Sequence, residues 1–326
     1  MRNRFLDGRT ARDIDTQVAK ILRGLSNPTP PLELADVFEL LKLDRQYYSS
    51  QDDGALREFI SRAVIAGKQI AMRPMLLVDV IRKWDLKALF VPDRKRVLID
   101  SSQHRLKWRW SEAHEVIHSV TDWHQTLLHG DNAVSLSLDC HADLEAEANY
   151  GAGRLLFFQG EFDEFARSAW PTFALVTSAH KRFANTLTSC LWRLVESLET
   201  PALGIVSQHP HYTNGAFDPD EPCRYFIRSR SFEERFSGLS EHDCFSIVRS
   251  YCSWKKRGPL GKEEIILRDD GGDEHVFLFE AFHNSHELLT LMTYVKPHAL
   301  VVAAGCACNS SGPYACWFWR YSQRPQ

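Results

Sequence analysis

Residues 114–118 read His114-Glu115-Val116-Ile117-His118, and this pentapeptide determines how the rest of the chain is interpreted. Residues four apart lie on one face of a helix, so His114 and His118 can both reach one metal ion. Glu115 would stand beside that ion, where it can accept a proton from a bound water. The spacing therefore predicts a zinc hydrolase with one zinc ion per chain and Glu115 as its general base.

A third ligand has to come from another element, and Glu145 in Leu144-Glu145-Ala146-Glu147-Ala148-Asn149 is our prediction for it. Asn149 lies four residues later on the same predicted helix face, where its amide can hold a metal-binding histidine. Glu147 competes with Glu145, but it points roughly 200° away around the helix, so only one of the two can face the metal. Asp143 and His141 are further candidates, and we expect them to be solvated at the helix start.

His124 offers another third ligand, because it completes the histidine spacing of a longer three-histidine zinc pattern. That pattern needs a glycine where this chain has Thr121, since the backbone must turn sharply to bring the last histidine round. We therefore expect His124 to continue the helix or to form its end.

Composition limits the classes of protein to which the chain can belong. The chain has 326 residues, of which 44% are hydrophobic and 25% are charged, as in a globular protein of two domains. A net charge of −3 gives no attraction for nucleic acid over the whole chain, so nucleic acid is not an expected direct ligand. No stretch reads as a signal peptide or a membrane span, and the eight cysteines fit free thiols in a reducing cytoplasm. We therefore predict a cytoplasmic protein.

The hydrophobic pattern predicts a largely helical first domain, residues 1–199, with a small sheet. Two strands, Ala88–Val91 and Arg96–Asp100, should form a hairpin just before the metal helix, which Ser111 should cap. The other predicted helices cover residues 11–25, 32–41, 56–66, 142–158, 162–169 and 178–198.

The second predicted domain, residues 200–326, is an α+β module. Its prolines predict a linker of turns over 201–222, followed by strands at 264–267, 275–280 and 288–295 with turns at 269–273 and around Asn284. His275, His283 and His286 resemble a metal cluster only by composition, and strand alternation should leave them facing solvent. A sensory or regulatory role is our hypothesis for this module.

The motifs of the first domain resemble those of the ImmA/IrrE family of zinc metallopeptidases. The family carries a hydrophobic strand, an A-H-E-x-x-H helix and an E-x-E-A-N motif, which match Arg96–Asp100, Ala113 to His118 and Glu145 to Asn149 here. Pro30-Pro31-Leu32-Glu33-Leu34 also resembles the entry to the family's first domain helix, and the resemblance covers about residues 1–200. This chain departs from the family at residues that pack near the site, namely Val116-Ile117, Gly151 and Phe157-Phe158.

The resemblance implies a zincin-like metallopeptidase domain, with His114, His118 and Glu145 as zinc ligands and Glu115 as general base. It also implies an endopeptidase that cuts a regulatory protein, a helix-turn-helix transcriptional repressor, in stress responses. Tyr150, His180 and Arg182 are candidates for stabilising the oxyanion. Two alternatives stay open: a non-enzymatic zinc-containing regulator that binds a repressor or DNA, and a zinc hydrolase of small amides.

Overall fold

The described part of the chain forms a small three-stranded sheet, a larger antiparallel sheet and nine helices. The computed structural model describes residues 2–48, 88–91, 95–100, 105–124, 138–212 and 221–298. The helices are α1 Gly8–Gly24, α2 Leu34–Leu41, α3 Arg105–Val120, α4 Leu138–Leu156, α5 Gly160–Arg167, α6 Phe173–Phe183, α7 Leu187–Ser197, α8 Arg230–Arg235 and α9 Glu241–Tyr251. The strands are β1 Asp44–Tyr48, β2 Ala88–Val91, β3 Arg96–Asp100, β4 Ala202–Ser207, β5 Cys223–Arg228, β6 Gly258–Arg268, β7 Glu274–His283 and β8 Leu288–Pro297.

The small sheet has the strand order β1-β3-β2 and lies against the metal helix α3. β2 and β3 pair antiparallel, which confirms the predicted strands, and the central strand β3 buries Val97, Leu98 and Ile99. β1, which we did not predict, pairs parallel to β3. Among the described strands, this order leaves β2 at one edge of the sheet.

Helix α3 begins at Arg105, seven residues before the predicted first residue Glu112, so the prediction of Ser111 as its cap is wrong. Tertiary contacts hold this first part of the helix: the Arg109 guanidinium donates to the Leu32 carbonyl at 2.8 Å, and the Trp110 indole donates to Asn149 at 3.2 Å. Such contacts outweigh the capping preference of an isolated serine.

Helix α4 packs along α3 at close range because Gly151 carries no side chain. A Cβ at this position would lie 2.7 Å from the Ile117 side chain. The contact sets the distance between the two helices that carry the predicted ligands.

The helix predicted over 178–198 is two helices, α6 and α7. Ala184 ends α6 in the left-handed conformation at φ 50°, and Thr186 caps α7 through the backbone N–H of Ser189. A threonine side chain that accepts from the first backbone N–H groups is a common N-cap of a helix. The break between α6 and α7 therefore has a local cause. Helices α1, α2, α4 and α5 lie within a few residues of their predicted ranges, whereas α8 and α9 were not predicted. The predicted helix 56–66 falls outside the described residues.

The larger sheet has the order β5-β4-β8-β7-β6, with all neighbours antiparallel. The three strands predicted beyond residue 258 are confirmed, but the linker predicted over 201–222 is wrong in part, since β4 is a buried inner strand. Its run of apolar residues after Pro201 is short, and prolines commonly precede a strand as well as a turn.

β4 places alternate residues on opposite faces of the sheet, and both faces are covered. Ala202 and Val206 join the core formed with the helices, whereas Leu203 and Ile205 join the core under α8 and α9. Gly204 lets α7 approach the strand, because a Cβ there would lie 3.2 Å from Val195. The chain is thus mixed α+β, and no helix in its described part is long and apolar enough to cross a membrane.

Candidate metal centre

Three predicted ligands converge between α3 and α4. His114 Nε2 lies 3.2 Å from a Glu145 carboxylate oxygen, and His118 Nε2 lies 3.7 Å from the other. The two Nε2 atoms are 3.1 Å apart. Within the ranges that the structure describes, this is the one group of three or more histidine, cysteine or acidic side chains close enough to hold a metal ion.

The hydrogen bonds around His114 determine which of its ring nitrogens carries the proton. The Trp110 indole N–H can only donate, and it donates to Asn149 Oδ1. That oxygen is also 3.2 Å from His114 Nδ1, which must therefore be the protonated nitrogen in a neutral ring. His114 then directs the lone pair of Nε2 toward Glu145 and His118.

Hydrogen bonds through His124 and Glu147 likewise determine which ring nitrogen of His118 carries the proton. His124 Nε2 lies 2.8 Å from the Glu147 carboxylate, so this nitrogen donates, and in a neutral ring Nδ1 then carries the lone pair. His118 Nδ1, at 2.9 Å from His124 Nδ1, must donate to it. The Nε2 atom of His118 therefore also directs a lone pair inward.

Three electron-rich atoms thus face one another, and their separations match those of neighbouring ligands around zinc. Zinc–nitrogen and zinc–oxygen bonds of about 2.0–2.1 Å place two tetrahedral ligands about 3.3 Å apart. Without a cation the lone pairs and the carboxylate would repel one another. The donor set, two imidazoles and a carboxylate, is the one found in catalytic zinc sites with an open water position, so these residues fit the ion that the sequence implies.

The pKa shifts of Glu145 and His114 indicate that a positive charge between these side chains is favourable. Burial opposes ionisation of Glu145, yet its hydrogen bonds to His114 and His118 lower its pKa. Burial also opposes a charge on His114, but the contact with Glu145 raises the His114 pKa, while burial lowers the pKa of His118 to about 4. A proton on His114 can thus take the place of a metal ion, and metal binding would release it.

Glu115 is buried beside the cluster, with an exposed fraction of 6%. Burial raises the pKa of its carboxyl from 4.5 to about 7. Glu115 also accepts a hydrogen bond from the backbone N–H of Phe90 in the edge strand β2. A carboxylate with a pKa near neutrality can both accept and return a proton.

The remaining predicted candidates lie elsewhere. Asp143 is exposed and pairs with Arg4, and the side chain of His141 falls outside the described residues. Glu147 is not part of the ligand group, as expected; its carboxylate accepts from the Trp123 indole at 2.6 Å and lies 2.8 Å from His124 Nε2.

The three candidates for the oxyanion each make a hydrogen bond with another element. The Tyr150 hydroxyl donates to Asp15, His180 contacts the Asn185 carbonyl, and Arg182 pairs with Glu161. Burial raises the pKa of Tyr150 to about 12. None of these three contacts involves a residue of the metal cluster.

The sequence did not reveal the supporting role of His124 and Glu147. His124 is fully buried and contributes no atom to the ligand group, and it contacts His118 from outside that group. Two signals were available: a histidine six residues after His118, and a second acid two residues after Glu145. Neither signal indicated that His124 and Glu147 contact each other.

The histidines of the larger sheet form no metal group among the residues with described side chains. The expectation that they face solvent is wrong for His275, which is 6% exposed and lies 3.0 Å from Asp269 and 3.1 Å from Arg235. Through its contact with Asp269, His275 stabilises the turn between β6 and β7.

Comparison with known proteins supports the fold alone. No protein-family model and no curated protein matches the sequence. Among solved structures, a transcriptional regulator from Mycobacterium tuberculosis is similar with a TM-score of 0.51 and 12% sequence identity. The match covers 86% of this chain and 76% of the regulator. It shows a shared overall fold, and the ImmA/IrrE resemblance stays a resemblance of motifs.

Proposed function

We propose that the chain is a cytoplasmic zinc endopeptidase that cuts a specific regulatory protein. The observation that carries the proposal is the convergence of three lone-pair donors from His114, His118 and Glu145 beside the buried carboxyl of Glu115. A zinc ion bound there would lower the pKa of a bound water and polarise a substrate carbonyl.

The residues of the chain supply proton transfer. With zinc bound, Glu115 would accept the proton of the attacking water and pass it to the leaving amine. His114 and His118 keep their ring orientation through Asn149 and His124. The site is thus organised before substrate binds.

The position of β2 supports a peptide as the substrate. β2 is the edge strand of the small sheet, and its Phe90 N–H points at Glu115. An extended substrate that pairs with such an edge would bring its backbone carbonyls next to the general base. A small amide has no backbone to use this edge.

The class of the substrate rests on two weaker supports. The ImmA/IrrE-like motifs imply a helix-turn-helix repressor, and the similar solved structure is named a transcriptional regulator. The cytoplasmic location is supported by Cys190, Cys223, Cys244 and Cys252, which are free and buried thiols.

The test compares Glu115→Gln with Glu145→Gln and a control. We expect Glu115→Gln to bind one zinc per chain and to lose about 10²–10⁴-fold in peptide cleavage, since only the proton acceptor is removed. Glu145→Gln should lose zinc. Asp143→Asn, which removes an exposed carboxylate from the same helix, should keep both zinc and cleavage. Cleavage products of a peptide library are identified by mass spectrometry, and zinc is measured by elemental analysis.

A second function, a zinc-containing regulator without enzymatic activity that binds a repressor or DNA, is suggested only by the similar solved structure, which is a transcriptional regulator. It predicts that Glu115→Gln and the unaltered protein have the same effect on expression of the regulated genes. Equal cleavage by these two proteins, or a chain that binds no zinc when zinc is supplied, would refute the endopeptidase.

A further inference from the structure

Residues 252–257 join α9 to β6 and present an aromatic and basic surface, which we call the 252–257 loop. Its Trp254 has an exposed fraction of 66%, the largest among the large hydrophobic side chains with described burial. One face of the indole stacks on His211, with ring centroids 4.2 Å apart and planes 13° from parallel. Tyr212, which is 37% exposed, packs edge-on against the same indole.

Side chains outside the loop hold its backbone in place. Four loop carbonyls accept hydrogen bonds of 2.7 to 2.9 Å, from His211 to Cys252, from Tyr212 to Trp254, from His209 to Lys255 and from His283 to Lys256. The same bonds keep Trp254 in position while leaving it exposed, which lowers the entropy cost of binding on it.

The charge of the loop is entirely positive. Lys255, Lys256 and Arg257 are consecutive and exposed, and no carboxylate in the described ranges forms an ion pair with any of them. Lys256 Nζ lies 5.4 Å from the centre of the Tyr212 ring, so one of these cations is next to the aromatic group. The surface is therefore rich in donors and cations and has a planar platform beside them.

We propose that the 252–257 loop binds a nucleotide unit, with the base on Trp254 and the phosphate on the adjacent lysine and arginine side chains. Single-stranded nucleic acids bind proteins through stacking on aromatic side chains and through contacts of cations with phosphates. An acidic peptide would satisfy the cations, but its carboxylates leave the indole face uncovered. A free nucleotide and a single strand share the required chemistry.

The net charge of −3 means that the chain as a whole adds no attraction for a nucleotide, so binding should be of modest strength. We expect a dissociation constant of about 1–100 μM at physiological salt for a fluorescein-labelled oligothymidylate of about 12 nucleotides. The measurement is fluorescence anisotropy on the full chain, with ATP and a duplex of the same length as competitors.

Two pairs of variants separate stacking from charge. Trp254→Ala should weaken binding about 5- to 100-fold, whereas Trp254→Phe should retain most of it because an aromatic face remains. Trp170→Ala is the matched control, since Trp170 is also exposed, at 54%, but lies between α5 and α6. Lys255→Gln should make the negative slope of the logarithm of the binding constant against the logarithm of the salt concentration shallower by about 0.7. Lys181→Gln, an exposed lysine on α6, should leave that slope unchanged.

Displacement by ATP at equal nucleotide concentration would identify a free nucleotide as the ligand, and weaker displacement would identify a single strand. Both results agree with the proposal, as does weaker competition by the duplex. It is overturned if the oligothymidylate does not bind, if Trp254→Ala binds like Trp170→Ala, or if polyglutamate competes as well as the strand. Zinc content and peptide cleavage are not involved in this assay, so its failure is distinct from failure of the proposed function.

Discussion

Replacing Gly151 with alanine should weaken the packing of α4 against α3. The added Cβ would lie 2.7, 2.8 and 2.9 Å from Cγ2, Cγ1 and Cδ1 of Ile117. These distances are about 0.5–0.7 Å shorter than ordinary van der Waals contact. Ile117 is fully buried and β-branched, and both of its γ carbons are in the overlap, so no simple rotation relieves it. The helices must then move apart.

A matched control on the same helix isolates the cost of this overlap. Gly153→Ala places its Cβ 3.7 Å from Trp110, which is an ordinary contact. Both substitutions should gain about 0.5–1 kcal/mol, because alanine favours a helix over glycine. Gly151→Ala should lose about 1–3 kcal/mol to overpacking, so its free energy of unfolding should be lower than that of Gly153→Ala by this amount.

The assay is urea unfolding of the two variants without zinc, followed by a zinc competition titration. Glu145 lies on α4 and the two histidines lie on α3, so separation of the helices should also weaken zinc binding in Gly151→Ala alone. Equal stabilisation and equal zinc affinity of the two variants would show that the close approach of the helices does not determine the geometry of the site.

Three further predictions concern buried polar groups. His124→Phe should weaken zinc binding about 10- to 100-fold, because His118 loses the group that orients it; zinc affinity unchanged from the unaltered protein would contradict this. Without metal, the raised pKa of Glu115 favours its neutral form, so its contribution is fully favourable below pH 4.5 and is lost as the pH rises through about 7. Glu115→Gln should therefore gain up to about 3 kcal/mol over the unaltered protein between pH 5 and pH 8, measured by urea unfolding, and a constant difference would exclude a raised pKa. Asp163→Ala should lower the free energy of unfolding by about 3 kcal/mol, since it leaves the buried Arg193 without its carboxylate at 2.7 Å; a loss as small as that of an exposed residue would refute this.

The ligand group could be predicted because its information is local. His114 and His118 share a helix face by spacing alone, and Glu145 with Asn149 repeats that spacing on the second helix. The structure brings these residues together between α3 and α4. Helical periodicity likewise predicted α1, α2, α4 and α5 to within a few residues, and the strand pattern predicted β2, β3, β7 and β8.

What could not be predicted depends on contacts between distant parts of the chain. The pairing of β1 with β3 has no local signal, and the early start of α3 depends on Arg109 and Trp110 finding partners on other elements. The contact of His124 with Glu147 requires the turn after α3 to meet α4. β4 was taken for a linker because its neighbouring prolines suggested turns, whereas its burial depends on the strands on either side of it.

The double burial of β4 has a consequence for how the protein can be divided. Ala202 and Val206 of β4 belong to one core, and Leu203 and Ile205 belong to the other, so the two cores share this strand. Ending the chain at residue 199 would remove β4 from α7 and expose the apolar side of that helix to solvent. The half that carries the candidate metal centre is therefore expected to be most stable when expressed with the sheet that follows it, and a destabilising substitution in either core should also destabilise the other.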